Sequence, residues 1–446
     1  MGCALAALRS WGMGVGKYTP FPHIEVLPNK ALAGENVSIR LVDFEPGQIV
    51  TIRAHMRDDL DRRWSSHARF KADIDGVVDL TSRKPLSGTY EGIDPMGLIW
   101  SMALDPDEGE VSPFAKRELK PDTVIFTAEV DWQPVAFGSL ERLYFEPGVK
   151  ATPVREHRLV GTFYQPAGAG PHPGVLVLSG SDGGMYKGVA ARLASHGYAA
   201  LALAYFGVEH LPPQLINIPL EYFEKGIQWM QSNPAVKGDS LAALGWARGG
   251  ELALLLGATF PAIKAVVGYV ASGVITIGGV RALTDLLDMQ PAWSFRGRPL
   301  PFVPVKSTSS FEEQVRANEP VALASLYLKG LEDRSALEKA LIPVERIGGP
   351  VLLISGKDDQ MWPSSVLSDF AMNRLSENNH PYPYKHLSYD DAGHNIGLPH
   401  RPTTVTRHRH AMGAVLDFGG TAKGNAFAAV DSWPRVLRFL KQAFST

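Results

Sequence analysis

The sequence is poor in cysteine, in net charge and in long apolar runs. Its single cysteine, Cys3, excludes a disulfide within the chain and a cysteine-based metal site. The formal net charge is −2 and no long basic run occurs, so nothing indicates nucleic acid or a membrane surface as a partner. No apolar run approaches the roughly 18 residues that a membrane span needs. These features are typical of a globular protein, and we expect a cytoplasmic location.

Motifs for metals and nucleotides are also missing. The histidines form no H-E-x-x-H or related set, which argues against a metal hydrolase. The glycine-rich residues 180–184 lack the G-x-G-x-x-G spacing and a suitable acidic residue after the next strand, which argues against a dinucleotide. The short basic cluster at residues 407–410 is typical of a solvated loop. The sequence therefore predicts neither a metal nor a cofactor, and it leaves the oligomeric state open.

At 446 residues the chain exceeds one typical core, so we expect two domains. Residues 1–19 are small and apolar and are expected to form a disordered leader. Short β-branched segments with Gly, Pro and Asp turns predict a β-sandwich over residues 20–150. Residues 151–446 follow a Pro/Gly-rich hinge and are predicted to form an α/β domain, with an insertion at about 275–345.

Apolar strands alternate with helices in this second region. Residues 175–178 form a wholly apolar run, typical of a buried parallel strand. Further strands are predicted at 199–204, 241–244, 265–270, 351–354 and 385–389. The alternation predicts a doubly wound, mostly parallel sheet, in which sites lie beyond the carboxyl ends of the strands.

Residues 244–250, LGWARGG, carry the glycines of a nucleophile elbow, the G-x-S-x-G turn between a strand and a helix, but the middle residue is Ala247. An alanine methyl cannot attack a carbonyl carbon. The small residues beside it allow the strained turn, and the following helix offers free N–H groups to a developing negative charge. Taken alone, the motif is more typical of an ordinary glycine-rich turn.

Two later loops offer an acid and a base. Residues 356–359, GKDD, follow a strand and place Asp359 at the spacing of a triad acid, with Asp358 as the alternative. Residues 390–394, DDAGH, follow the next strand and place His394 at the base position. The order nucleophile, acid, base is that of the α/β-hydrolase fold, not of chymotrypsin or subtilisin. These ordered features favour a catalytic site over a merely structural histidine.

Other candidate residues surround this constellation. The loop at residues 180–184, GSDGG, can approach a substrate closely because of its glycines. The N–H groups of Ser181 and Arg248 are therefore candidate donors of an oxyanion hole. In the insertion, Trp293, Phe295 and Phe302 are candidates to line an acyl pocket, although core packing is the commoner role of such aromatics.

Longer stretches resemble the acyl-CoA thioesterase / bile acid-CoA:amino acid N-acyltransferase family, and its bacterial members most. In the first region these are PGQIVTIRA and SGTYEGIDPMGLIWSM. In the second they are HGYAALALAYF, LGWARGGELALLLG, YLKGLED, IPVERIGGPVLLISGKDDQMWPS, HLSYDDAGH and GGTAKGNAFAAVDSWPRVLRFL. The resemblance covers nearly all of the chain after about residue 20, and DPMGLIWSM is more diagnostic than the elbow.

The resemblance implies an α/β-hydrolase domain with a cap insertion behind an N-terminal β-sandwich. It implies acyl transfer from a small-molecule thioester or ester through an acyl-enzyme, with a nucleophile at position 247, Asp359 as acid and His394 as base. The family has Ser or Cys at the nucleophile position, so Ala247 departs from it. Because acid, base and glycines are retained, we expect an inactivating, engineered Ser→Ala replacement. The alternatives are an acyltransferase or cyclase with an amine or hydroxyl acceptor, and a naturally inactive ligand-binding protein.

Overall fold

The computed structural model describes residues 21–279, 289–410 and 413–445. The expected leader at residues 1–19, with Cys3, lies outside the described residues, as does part of the expected insertion. No helix in the described ranges is both long enough and apolar enough to cross a membrane.

The N-terminal region consists of strands that pair antiparallel, except for the parallel pair of β2 and β10. They are β1 (His23–Leu27), β2 (Lys30–Leu32), β3 (Ser38–Val42), β4 (Ile49–Arg57), β5 (Arg63–Lys71), β6 (Val78–Asp79), β7 (Ser87–Gly88), β8 (Ala103–Leu104), β9 (Asp122–Val130) and β10 (Gln133–Leu143), with the short helix α1 (Gly97–Trp100) before β8. The first sheet has the order β1-β3-β6 and the second the order β2-β10-β9-β4-β5-β7, with β8 beside β5. In β4 every second residue, from Val50 to Met56, is buried, as expected for a strand with one face in a core.

The second region consists of a large sheet and its helices. Its elements begin with β11 (Lys150–Val154), β12 (Val160–Gln165), β13 (His172–Leu178), α2 (Lys187–Ser195), β14 (Ala199–Ala204), β15 (Ile218–Pro219), α3 (Leu220–Ser232), β16 (Val236–Trp246), α4 (Arg248–Thr259) and β17 (Ile263–Tyr269). They continue with β18 (Trp293–Phe295), β19 (Arg298–Pro299), α5 (Ser309–Ala317), α6 (Ala324–Gly330), α7 (Arg334–Ala340), β20 (Val351–Gly356), α8 (Ser364–Glu377), β21 (Tyr384–Tyr389), β22 (Arg407–Arg409), β23 (Val415–Asp417) and α9 (Ala422–Ala443).

The large sheet has the strand order β11-β12-β14-β13-β16-β17-β20-β21. The pairs from β14 to β21 are parallel, whereas β11 and β12 pair antiparallel at one edge. The central strands are buried on both faces, which explains why they are continuously apolar in sequence. The predicted doubly wound sheet behind a β-sandwich is confirmed. Domain boundaries at 150/151 stay a prediction.

In the insertion, residues 324–340 form two short helices, α6 and α7, rather than one continuous helix. At Gly330 a side chain would lie 2.1 Å from the Pro304 carbonyl oxygen, so the chain must pass there without one. The Asp333 side chain then accepts a hydrogen bond from the Ala336 amide (3.1 Å) and starts α7. The segment from Leu331 to Asp333 thus separates α6 from α7.

Candidate active site

Ala247 occupies the turn between β16 and α4, with φ 49° and ψ −115°. A positive φ is rare for a residue with a Cβ and is a form of strain found at functional sites. The Ala247 amide donates to the Tyr269 carbonyl oxygen at 2.8 Å, so it does not face a ligand. Arg248 is the first residue of α4, where amides have no partner within the helix. The turn thus has the geometry of a nucleophile elbow with a methyl group in place of the nucleophile.

The glycines around Ala247 are required by close backbone packing. A Cβ at Gly245 would lie 2.0 Å from the Gly249 carbonyl oxygen, and one at Gly249 would lie 2.4 Å from the Ser179 carbonyl oxygen. A Cβ at Gly250 would lie 2.8 Å from the Ala271 Cβ. The three glycines therefore let the helix start pack directly against the neighbouring strand ends, which holds residue 247 above the sheet.

The structure brings Asp359 and His394 together at the ends of β20 and β21. The Nδ1 atom of His394 lies 2.9 Å from Oδ2 and 3.2 Å from Oδ1 of Asp359. The Asp359 carboxylate is buried and also accepts hydrogen bonds from the amides of Met361 (3.0 Å) and Trp362 (3.2 Å). Asp358, the alternative acid, accepts from the Gly420 amide and the Gln360 side chain instead. The geometry therefore matches Asp359 rather than Asp358.

A cavity of about 540 Å³ lies above these strand ends. Ser181, Arg248, Ala247 and His394 all contribute to its wall, so the sequence-predicted residues face one space, which we call the cap cavity. Much of the remaining wall is apolar and comes from the insertion and from the loop between β14 and β15, including Leu215, Ile277, Val305, Leu323, Leu326 and Tyr327. Such a cavity fits an apolar group held next to a few polar ones.

The three aromatic candidates of the insertion pack in the core instead. Trp293 is fully buried, and its Nε1 donates to Glu251 Oε1 at 2.7 Å. Phe295 and Phe302 pack against the core cluster, and none of the three lines the cap cavity.

A buried ion pair behind the elbow was not predicted from the sequence. Arg248 lines the cap cavity, and its Nη1 donates to Glu251 Oε2 at 3.2 Å. Glu251 also accepts from Thr276 at 2.7 Å. Burial raises the pKa of Glu251, which the nearby Arg248 charge and these hydrogen bonds oppose. The Arg248 guanidinium lies 5.1 Å from the centre of the Trp362 ring, so this network connects the elbow helix to the acid loop.

Asp182 was also missed as a site residue, although it lies beside Ser181. Its carboxylate accepts from the Tyr186 hydroxyl at 3.1 Å and faces the cap cavity. Although part of its surface is open to the cavity, the surrounding protein raises the pKa of Asp182 by desolvation, and the nearby His394 charge opposes this. No sequence signal separated this aspartate from an ordinary loop residue.

The basic cluster at residues 407–410 is not merely a solvated loop, and that expectation is wrong. Its first three residues form β22, which pairs with β23. His408 stacks on the Phe418 ring at 4.4 Å, and residues 408–410 line the cap cavity. The side chains of the two arginines are exposed, and Arg407 pairs with Asp417 while Arg409 pairs with Glu110. Strand pairing between β22 and β23 places the cluster at the site. The length of the basic run, on which the expectation was based, contains no information about this pairing.

Within the described ranges, no group of three His, Cys, Asp or Glu side chains is arranged to hold a metal ion. The site itself offers an acid–base pair, backbone amides and a cavity.

Comparisons with known proteins place this chain in a family. The model of the C-terminal part of BAAT / acyl-CoA thioester hydrolases matches residues 218–446, and that of the acyl-CoA thioester hydrolase/BAAT N-terminal region matches residues 34–156. Mouse acyl-coenzyme A thioesterase 1 is 32% identical over 414 residues, covering 91% of this chain and 92% of the relative. Human mitochondrial acyl-coenzyme A thioesterase 2 is 31% identical over 411 residues, covering 91% and 80% respectively.

Among solved structures, a dienelactone hydrolase-like promiscuous phosphotriesterase from metagenomic libraries matches with 19% identity and a TM-score of 0.39, covering 66% of this chain and 99% of that one. The two family models and the long relatives confirm the resemblance drawn from the sequence. The chain belongs to the acyl-CoA thioester hydrolase / BAAT family.

Proposed function

We propose that this protein is an acyl-transfer enzyme of the serine hydrolase type whose substrate is an acyl thioester, of coenzyme A or a similar carrier, or an ester, and whose nucleophile position has been changed from Ser to Ala. One observation carries the proposal. Ala247, in a strained elbow, and His394, whose Nδ1 is hydrogen-bonded to the buried Asp359, face the same cavity.

Each side chain has a defined role in the active form. A serine at position 247 attacks the acyl carbonyl carbon through its Oγ, and His394 takes the proton and later returns it to the leaving group. Asp359 holds the Nδ1–H of His394, which leaves Nε2 free to act as the base. The amides of Ser181 and Arg248 stabilise the negative charge that develops on the carbonyl oxygen. His394 then activates the acceptor that releases the acyl group.

With Ala247 in place, no acyl-enzyme can form at this position, but the cavity and its charged side chains remain. Removing a triad serine lowers kcat by on the order of 10⁶. We therefore expect the chain as it stands to bind substrate without forming an acyl-enzyme. The sequence of the source gene tests how this arose: a serine codon shows an engineered replacement, whereas an alanine codon shows that Ala247 is natural.

The variant Ala247→Ser tests the function directly. We expect it to hydrolyse acyl-coenzyme A or p-nitrophenyl esters with a burst of product, and to form an acylated protein visible by mass spectrometry. The protein with Ala247 is the matched control and should show neither the burst nor the acylated protein. A correctly folded Ala247→Ser protein without burst, acylation or turnover on acyl-coenzyme A, acyl carrier protein thioesters and esters would contradict the proposal.

The acceptor distinguishes two forms of this function. The matched family includes both thioester hydrolases and the BAAT proteins, so water and an amine or hydroxyl of a second substrate are both consistent with the site. Product masses separate them, because hydrolysis adds water to the acyl group and transfer or cyclisation does not. A cytoplasmic location stays a prediction, since the names of the relatives include a mitochondrial one.

A further inference from the structure

A second cavity, of about 600 Å³, reaches the candidate active site between the β-sandwich and the large sheet. Its wall contains residues of both regions, from Pro113 and Tyr144 to Thr403. Asp182, Ala247 and His394 belong to the walls of both this inter-domain cavity and the cap cavity. The two spaces therefore meet where the acyl carbonyl group is proposed to react.

The inter-domain cavity differs from the cap cavity in its charge. Four cations line it, and Asp182 is the single carboxylate among the lining residues in the described ranges. Lys116 is neutralised by Asp59 at 3.0 Å and Asp122 at 2.8 Å. The other three, Arg117, Lys187 and Arg401, form no ion pair within the part of the chain that the structure describes. The wall thus has a surplus of positive charge.

Two buried arginines, Arg142 and Arg192, are not part of this wall, but both interact electrostatically with Tyr144 and Arg401, which are. Arg142 and Arg192 are only 4% and 2% exposed. One guanidinium nitrogen of each has no hydrogen-bond partner among the described residues. Burial lowers the pKa of Arg192 to about 9. Repulsion from Arg142 and Arg401 contributes to this lowering. Uncompensated buried cations are costly, and a nearby anion would relieve that cost.

We propose that the inter-domain cavity binds the phosphate groups of a nucleotide-bearing thioester carrier of the coenzyme A type, while the cap cavity takes the acyl group. This inference rests on the proposed function and assigns a place to each half of its substrate. Arginine and lysine are the side chains that bind phosphate, through charge-assisted hydrogen bonds. A volume of several hundred cubic ångströms is that of a ligand pocket. The thioester group then lies at the junction, beside Ala247 and His394.

Charge reversal at the cavity wall tests the proposal. Lys187→Glu with Arg401→Glu is compared with the matched pair Lys225→Glu with Arg298→Glu, whose side chains are exposed and line neither cavity. Calorimetry with coenzyme A, with adenosine 3′,5′-bisphosphate and with pantetheine gives the Kd values. We expect the cavity variant to weaken binding of the first two at least tenfold and to leave pantetheine unchanged. The milder Lys187→Gln with Arg401→Gln should give a smaller loss and guards against misfolding.

Salt gives an independent readout. Because phosphate contacts are electrostatic, raising NaCl from 50 to 300 mM should weaken coenzyme A binding more in the parent protein than in the cavity variant. Equal Kd values for coenzyme A in the parent and the cavity variant would overturn the proposal, as would an equal loss in the matched control pair.

Kinetics in the Ala247→Ser background separate this inference from the proposed function. Acyl-N-acetylcysteamine has the thioester but no phosphate. We expect the cavity variant to raise KM for acyl-coenzyme A and to leave KM for acyl-N-acetylcysteamine unchanged. Turnover of both substrates with unchanged KM refutes the phosphate site alone. Absent turnover, with coenzyme A binding that still depends on Lys187 and Arg401, refutes the proposed function alone.

Discussion

The Nδ1 atom of His394 lies 2.9 Å from Oδ2 of Asp359, although 35 residues separate them in sequence. β20 and β21 are adjacent and parallel, so the loops that follow them meet at one edge of the sheet. The buried carboxylate is also fixed by two backbone amides. Asp359 thus determines which nitrogen of His394 faces the cavity.

From this pairing we predict the effect of Asp359→Asn in the Ala247→Ser background. The asparagine oxygen can still accept from the Met361 and Trp362 amides, so the loop should keep its structure. Its amide group then faces Nδ1 and favours the wrong histidine tautomer. We expect kcat to fall by about 10⁴ at nearly constant stability. The control is Asp358→Asn, which we expect to keep most of the activity, and a small effect of Asp359→Asn on kcat would contradict the assigned role.

The backbone strain at Ala247 leads to a prediction on stability. With φ 49° and ψ −115°, this turn costs about 1–3 kcal/mol, and glycine removes most of that cost. We expect Ala247→Gly to raise the free energy of unfolding by about 1 kcal/mol and Ala247→Val to lower it. Urea denaturation measures both. Ala253→Gly, inside the same helix at ordinary dihedral angles, should instead lose about 1 kcal/mol. A destabilised Ala247→Gly protein would show that the turn is not strained.

The sequence predicts those features of the site that depend on residues close together in the chain, and misses those that depend on distant ones. The elbow glycines and the acid follow directly after apolar strands, and the base lies on the loop after the next strand, so the strand pattern and chain order place them. β14 was predicted at its observed limits because its six residues are all apolar and buried. β13 and β16 were predicted too short, because their first residues are polar or are paired by tertiary contacts.

Other features depend on contacts that no local pattern contains. His408 reaches the cap cavity because β22 pairs with β23 and its ring stacks on Phe418. The Arg142 guanidinium donates a hydrogen bond to the carbonyl oxygen of His400, which is 258 residues away in the sequence. The charge of the inter-domain cavity comes from single lysines and arginines on separate loops and elements, and each is unremarkable in the sequence alone.

His400 gives a prediction on pH. Burial, with repulsion from Arg142 and Arg192, lowers the pKa of His400 to about 3 from a usual 6.5. The native state therefore keeps the ring neutral, and the unfolded chain binds a proton first as the pH falls. The contribution of His400 to the free energy of unfolding is therefore fully present above pH 6.5 and is lost as the pH falls from about 6.5 to 3.

The variant His400→Asn removes this titration and suits the left-handed backbone at φ 56°. Between pH 7.5 and 5.0 we expect the parent protein to lose about 2 kcal/mol more unfolding free energy than the variant. Urea midpoints at the two pH values measure it. His157→Asn is the matched control, since His157 is exposed and has φ 55°, and its protein should keep the parental pH dependence. Identical pH profiles for the parent and His400→Asn would contradict the assignment.

The buried pair of Arg248 and Glu251 gives the last prediction. Glu251 is fully buried and accepts from Arg248, Thr276 and Trp293. Glu251→Ala leaves a buried guanidinium and two donors without their acceptor, so we expect a loss of about 3–5 kcal/mol of unfolding free energy. Glu251→Gln keeps an acceptor oxygen and should lose less. Arg248→Met combined with Glu251→Leu should cost less than the sum of the single changes, because it removes both charges together. Additive losses in this double-mutant cycle would show that the two side chains stabilise the elbow independently.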